Sequence, residues 1–108
     1  MSIESFIRAM PKVDLHLHLE GALQKETLLM MADQNNIAAN FKNARQYQAW
    51  LGQIDQPDYK RLHEVAHTLA SWVVHMDDIT RVVYDLGVYL YRQNVKYAEV
   101  SLDPTIFT

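Results

Sequence analysis

Apolar and polar positions alternate strictly over residues 12–19, KVDLHLHL. Val13, Leu15, Leu17 and Leu19 fall on one side of an extended chain, and Asp14, His16 and His18 on the other, as the two-residue period of a strand requires. The pattern predicts a strand whose leucines meet an apolar layer and whose histidines face a polar interior. Pro11 precedes it, and Gly21-Ala22 breaks the alternation after it. Upstream, residues 2–9 predict a short helix capped by Ser2, with Ile3, Phe6 and Ile7 on one face.

Helical spacing then takes over. Residues 24–35 are rich in good helix formers, and Leu28, Met31 and Ala32 repeat at helical intervals. Over residues 36–57 the pattern weakens: ARQYQAWL predicts a short helix and residues 53–57 a loop. Residues 58–75 carry the stripe Tyr59, Leu62, Ala66, Leu69, Ala70 and Val73, with Asp58 as cap and His75 near the helix end, where a protonated imidazole suits the dipole. The clearest helix spans residues 78–94, capped by Asp77, with Ile79, Val82, Val83, Leu86 and Leu90 buried and Asn94 as the stop. Gly87 inside it costs about 1 kcal/mol relative to alanine, which points to close packing there. Residues 95–102, VKYAEVSL, predict a second strand with apolar residues on both faces, as in a parallel strand covered on both sides.

The order strand, helices, strand defines a parallel, right-handed crossover unit. Two parallel strands leave two open edges, and all-parallel sheets are normally covered on both faces. The 108 residues therefore read as the opening segment of a larger α/β protein, with residues 1–108 an incomplete part of one domain.

Composition narrows the function. Ten Lys and Arg against thirteen Asp and Glu give a formal charge of −3, which argues against a nucleic-acid partner. The 49% hydrophobic and 21% charged content fits a folded chain. The absence of cysteine excludes disulfides, thiolate zinc sites and cysteine nucleophiles. No apolar run is long enough for a membrane span, and MSIESFIRAMPK has no secretory apolar core, so the expected compartment is the cytoplasm.

The chemistry concentrates at His16-Leu17-His18, with Asp14 two residues before and Glu20 two residues after. Residues two apart on a strand share a face, so two imidazoles there can converge on one metal ion. Neutral imidazole suits zinc, and catalytic zinc takes three protein ligands and keeps one open position. The pair is thus a partial site. The glycine turn puts it at the C-terminal end of the strand, where barrels and open sheets place their chemistry.

PKVDLHLHLEGA, residues 11–22, resembles the opening signature of the adenosine deaminase family, a zinc branch of the amidohydrolase superfamily. YLYRQNVKYAEVSLDP, residues 89–104, resembles the family's second-strand segment, though Ser101 stands where members commonly have arginine. The resemblance implies the first two strands and intervening helices of a (β/α)₈ barrel. It implies His16 and His18 as ligands of one Zn²⁺, His18 also near substrate, and Glu20 accepting a hydrogen bond from a sugar hydroxyl. Tyr59 and Leu62 would cover the purine at the site mouth. The implied reaction is hydrolytic deamination of adenosine or deoxyadenosine to the inosine counterpart and ammonia. The acid, base and remaining ligands would come from later strands, so no catalytic residue is assigned in this segment, which is expected to be inert alone. The implied partner is a small purine nucleoside, with no nucleic acid and no membrane.

Alternatives remain. A related metal hydrolase could use the same strand on adenine, a nucleotide or another amine. A noncatalytic chain would self-associate through its open sheet edges. His63-Glu64-Val65-Ala66-His67 is a literal H-E-x-x-H match, the zincin spacing, but it is short and no third ligand follows at the usual distance. The His/Cys/Cys deaminase site cannot be built without cysteine.

Overall fold

A computed structural model describes residues 1–41, 44–55 and 59–107, except for the side chains at 40, 44, 53–55, 59, 62 and 106. Helix α1 (Ile3–Ala9) begins where the Ser2 hydroxyl accepts the Ser5 N–H at 3.1 Å. Strand β1 (Lys12–His18) runs into a 3-10 turn at Leu19–Gly21. Helices α2 (Lys25–Gln34), α3 (Ala44–Asp55), α4 (Leu62–Ala70) and α5 (Met76–Arg92) follow, with 3-10 turns at Ile37–Asn40 and Tyr59–Arg61. Strand β2 (Val95–Ser101) then pairs parallel to β1, and a 3-10 turn at Pro104–Phe107 follows it. This is the expected crossover unit: two parallel strands bridged by helices. No helix among the described residues is long and apolar enough to cross a membrane.

The register carries two slips: Lys12 pairs with Val95 and Val13 with Tyr97, so β2 first fits one extra residue. Asp14 pairs with Ala98 and Leu17 with Val100, so β1 fits one extra residue into that stretch, in the manner of a bulge. The His16 N–H is accepted instead by the Asp14 carboxylate at 3.2 Å. Burial consequently falls on Lys12, Asp14 and Leu17 and not on an unbroken leucine face. Val13 and Leu15, expected against an apolar layer, are 62% and 61% exposed. The buried clusters gather around the helices and the far end of β1 instead.

Two clusters form the core. Leu28 and Ala32 on α2 meet Ile37, Val65, Leu69 and Trp72, with Phe41, Tyr47 and Trp50 packed against them. Met31, on another side of α2, meets Leu19, Val73, Val82 and Leu86. Helix α2 therefore shares both, and its two largest fully buried side chains, Leu28 and Met31, serve one cluster each.

Three helix expectations need correction. The single helix over 58–75 is a 3-10 turn followed by α4, which stops at Ala70. There the Trp72 and Val73 N–H groups bond the Leu69 and Ala70 carbonyls at 3.1 Å, a tightening of the last turn that swings both apolar side chains into the core. Helix α5 starts at Met76, capped by His75 rather than Asp77, because the Asp78 carboxylate accepts the Val74 and His75 N–H groups at 3.1 and 3.0 Å. His75 therefore sits at a helix N-terminus, not at the C-terminal end of the one before. Gly87 marks no close approach: a Cβ built there meets nothing within 4 Å. In addition, α3 runs to Asp55, through part of the expected loop. The expected cap Asp58 lies outside the described residues.

Candidate metal centre

His16 and His18 come from the C-terminal half of β1, and Glu20 from the 3-10 turn beyond it. Leu19 between them is 3% exposed and packs on Met31, Val73, Val82 and Leu86. That anchor turns the chain out of the strand and brings Glu20 back beside His18.

The two imidazoles converge. Nε2 of His16 lies 3.0 Å from Nε2 of His18, with ring centroids 4.9 Å apart and planes tilted by 53°. Two nitrogens each at ~2.0–2.1 Å from one tetrahedral ion stand about 3.3 Å apart, so the donor pair fits a zinc-type cation with a small adjustment. The other ring nitrogen of His18, Nδ1, faces Oε1 of Glu20 at 3.6 Å. Oε2 of Glu20 is buried and, among the described residues, has no hydrogen-bond partner. Asp14, half-buried, holds the His16 backbone and does not join the rings. Among the described residues no group of three His, Cys, Asp or Glu side chains is poised to hold an ion. In this centre the geometry brings together the rings of His16 and His18 alone. The side chains of Tyr59 and Leu62, expected over the site mouth, lie outside the described residues.

The rival His63–His67 pair sits on α4 with ring centroids 6.3 Å apart. Its Glu64 is engaged elsewhere: the Arg61 guanidinium meets both carboxylate oxygens at 2.9 and 3.1 Å. Hydrogen bonding from Arg61, followed by its charge, holds the Glu64 carboxyl below the ordinary carboxylate range. Glu64 is a surface ion-pair partner, not a base aimed at a metal. Asp103, given no role from sequence, accepts the Thr105 hydroxyl and N–H at 2.6 and 3.0 Å. Those bonds depress its carboxyl, with smaller contributions from the nearby His67 and His63. The signal was Asp-Pro-Thr itself, a side chain turning back on the backbone two residues on. On β2, the Tyr97 hydroxyl donates to Glu99 at 2.9 Å.

The fold is a parallel strand–helices–strand unit with a histidine pair at the C-terminal end of its first strand. The family model for adenosine deaminase matches residues 11–108, and the chain belongs to that family. It is 29% identical over 110 residues to an adenine deaminase of Hahella chejuensis, covering 98% of this chain and 31% of the relative. It is 29% identical over 105 residues to an adenosine deaminase of Clostridium kluyveri, covering 96% and 30%. The crystal structure of an adenine deaminase from Arthrobacter aurescens superposes with a TM-score of 0.70 at 22% identity, covering 91% of this chain and 29% of that one. The fold is thus the barrel's two-strand unit with its intervening helices. The chain spans about 30% of the length of the curated relatives it matches.

Proposed function

We propose that this chain supplies the metal-holding strand of a hydrolytic deaminase acting on a 6-aminopurine. The observation that carries the reading is the 3.0 Å approach of the two Nε2 atoms. His16 and His18 would hold one zinc ion, and Glu20, with a buried oxygen unpartnered among the described residues, would accept a hydrogen bond from the bound purine compound. Zinc in such a setting lowers the pKa of its water toward ~7, supplying a nucleophile at neutral pH. Leu19 and its apolar neighbours keep the end of the strand rigid, so the two rings hold their mutual orientation. A third ligand and the acid–base groups belong to barrel strands beyond these two.

Adenosine, converted to inosine and ammonia, is the first reading of the substrate. Free adenine is the second, favoured by the likeness to the Hahella adenine deaminase. The test is ammonia release from each compound by a polypeptide carrying these strands together with the rest of the barrel. Release from adenosine, abolished by His16→Ala or His18→Ala, supports the first reading; release from adenine alone supports the second. A zinc-loaded barrel that deaminates neither refutes the substrate class. Activity that survives both histidine substitutions refutes the metal assignment.

A further inference from the structure

We infer that Glu20 is a positioning residue that fixes the tautomer and ring orientation of His18 for metal binding; the inference rests on the reading that His16 and His18 share an ion. The rings meet through their Nε2 atoms at 3.0 Å. A neutral imidazole carries one ring proton, and without an ion one of these nitrogens donates to the other. A cation between them needs both Nε2 lone pairs, so both rings must then carry their protons on Nδ1. A ring rarely holds that tautomer unaided: metal-bound histidines nearly always donate the other N–H to a carboxylate, carbonyl or water.

For His18 the acceptor is already in place. Oε1 of Glu20 faces Nδ1 at 3.6 Å, longer than a hydrogen bond and short enough to close by a small side-chain shift. Glu20 has little freedom to go elsewhere, because its side chain is 13% exposed and its turn is anchored by Leu19. Its Oε2 is shut away without a donor among the described residues. A buried carboxylate oxygen without a donor is unfavourable. A hydrogen bond donated by His18 Nδ1–H would be accepted by Oε1 and would leave Oε2 open to a donor from a ligand. The two roles use different atoms: Oε1 orients His18, while Oε2 remains for a bound hydroxyl.

Zn²⁺ titration of the 108-residue chain, with calorimetry for affinity and ¹⁵N NMR of the histidine rings for tautomer, tests this. Zn²⁺ should place the His18 proton on Nδ1. Glu20→Ala should weaken Zn²⁺ binding about 10–100-fold, while Glu20→Gln, which keeps a side-chain acceptor, restores most of it. Unchanged affinity in Glu20→Ala, beside a clear loss in His16→Ala, overturns the positioning role and leaves the metal site standing. Parent affinity in His16→Ala, or no Zn²⁺ binding by the parent, overturns both. Should Glu20→Ala fail to fold, the parent's zinc-loaded spectrum decides alone: a His18 proton found on Nε2 refutes the inference.

Discussion

At the level of single residues, Asp78 joins three parts of the fold. Its carboxylate accepts the Val74 and His75 N–H groups and the Asn35 amide, the last at 3.0 Å, and Asn35 also donates to the Trp72 carbonyl. Burial by itself would raise its pKa; the bonds from His75, Asn35 and Val74 outweigh burial and hold the carboxyl below its ordinary 3.8. A carboxyl depressed in the folded state stabilises the fold above its unfolded pKa, and that contribution fades as pH falls through the folded value. Thermal midpoints followed by circular dichroism should therefore drop below about pH 4, and the drop should be smaller in Asp78→Ala. At neutral pH that substitution should cost about 2 kcal/mol, leaving the cap donors unbonded. The same scale shows how far single residues can be read from sequence. The histidine pair was legible because a two-residue period puts such side chains together in any strand. The Glu20 contact was not, because it depends on the turn that closes after Leu19, and no spacing rule encodes that turn.

At the level of elements, α5 offers a clean test. Gly87 lies in the helix interior, faces open space and has an ordinary negative φ. Gly87→Ala should stabilise the chain by about 0.5–1 kcal/mol, read as a rise in thermal midpoint; destabilisation would mean that something packs there. The strands and α5 were legible because the apolar spacing in the sequence is regular, even though β1 is bulged in the sheet, and Asn94, at φ 59°, ends the helix in the left-handed conformation asparagine tolerates. The break between α4 and α5 was not. Trp72 and Val73 keep the apolar spacing of a helix, yet they reach the core from a turn. Hydrophobic pattern reports burial, and here burial and helicity part company. The true start of α5 was hidden likewise, since the capping carboxylate is Asp78, three residues inside the helix, and not Asp77.

At the level of the whole molecule, the core lies among the helices and takes in Leu17 at the end of β1, while other apolar residues of the sheet stay exposed. Val13 and Leu15 on β1 and Tyr97 and Val100 on β2 are exposed. A groove lined by Asp14, Leu17, Gln24, Leu86 and Tyr89 runs between β1, α2 and α5. Unpaired strand edges beside apolar surface favour association. The 108-residue chain should therefore show an apparent mass in sedimentation that rises with concentration, and Leu15→Lys should suppress the rise; a monomer at every concentration would contradict this. The incompleteness of the sheet was legible from two parallel strands alone. The exposure of Val13 and Leu15 was not, because alternation tells which residues share a face and not whether anything lies across from it.

The offset between Asp14 and Leu17 has a bearing on that sheet. A strand that accommodates a surplus residue at a fixed place cannot slide along its neighbour without misplacing the kink. His18 is thereby indexed to Ser101 across the ladder. On the proposed reading, any further metal donors would meet a ring whose height along the strand is set in advance.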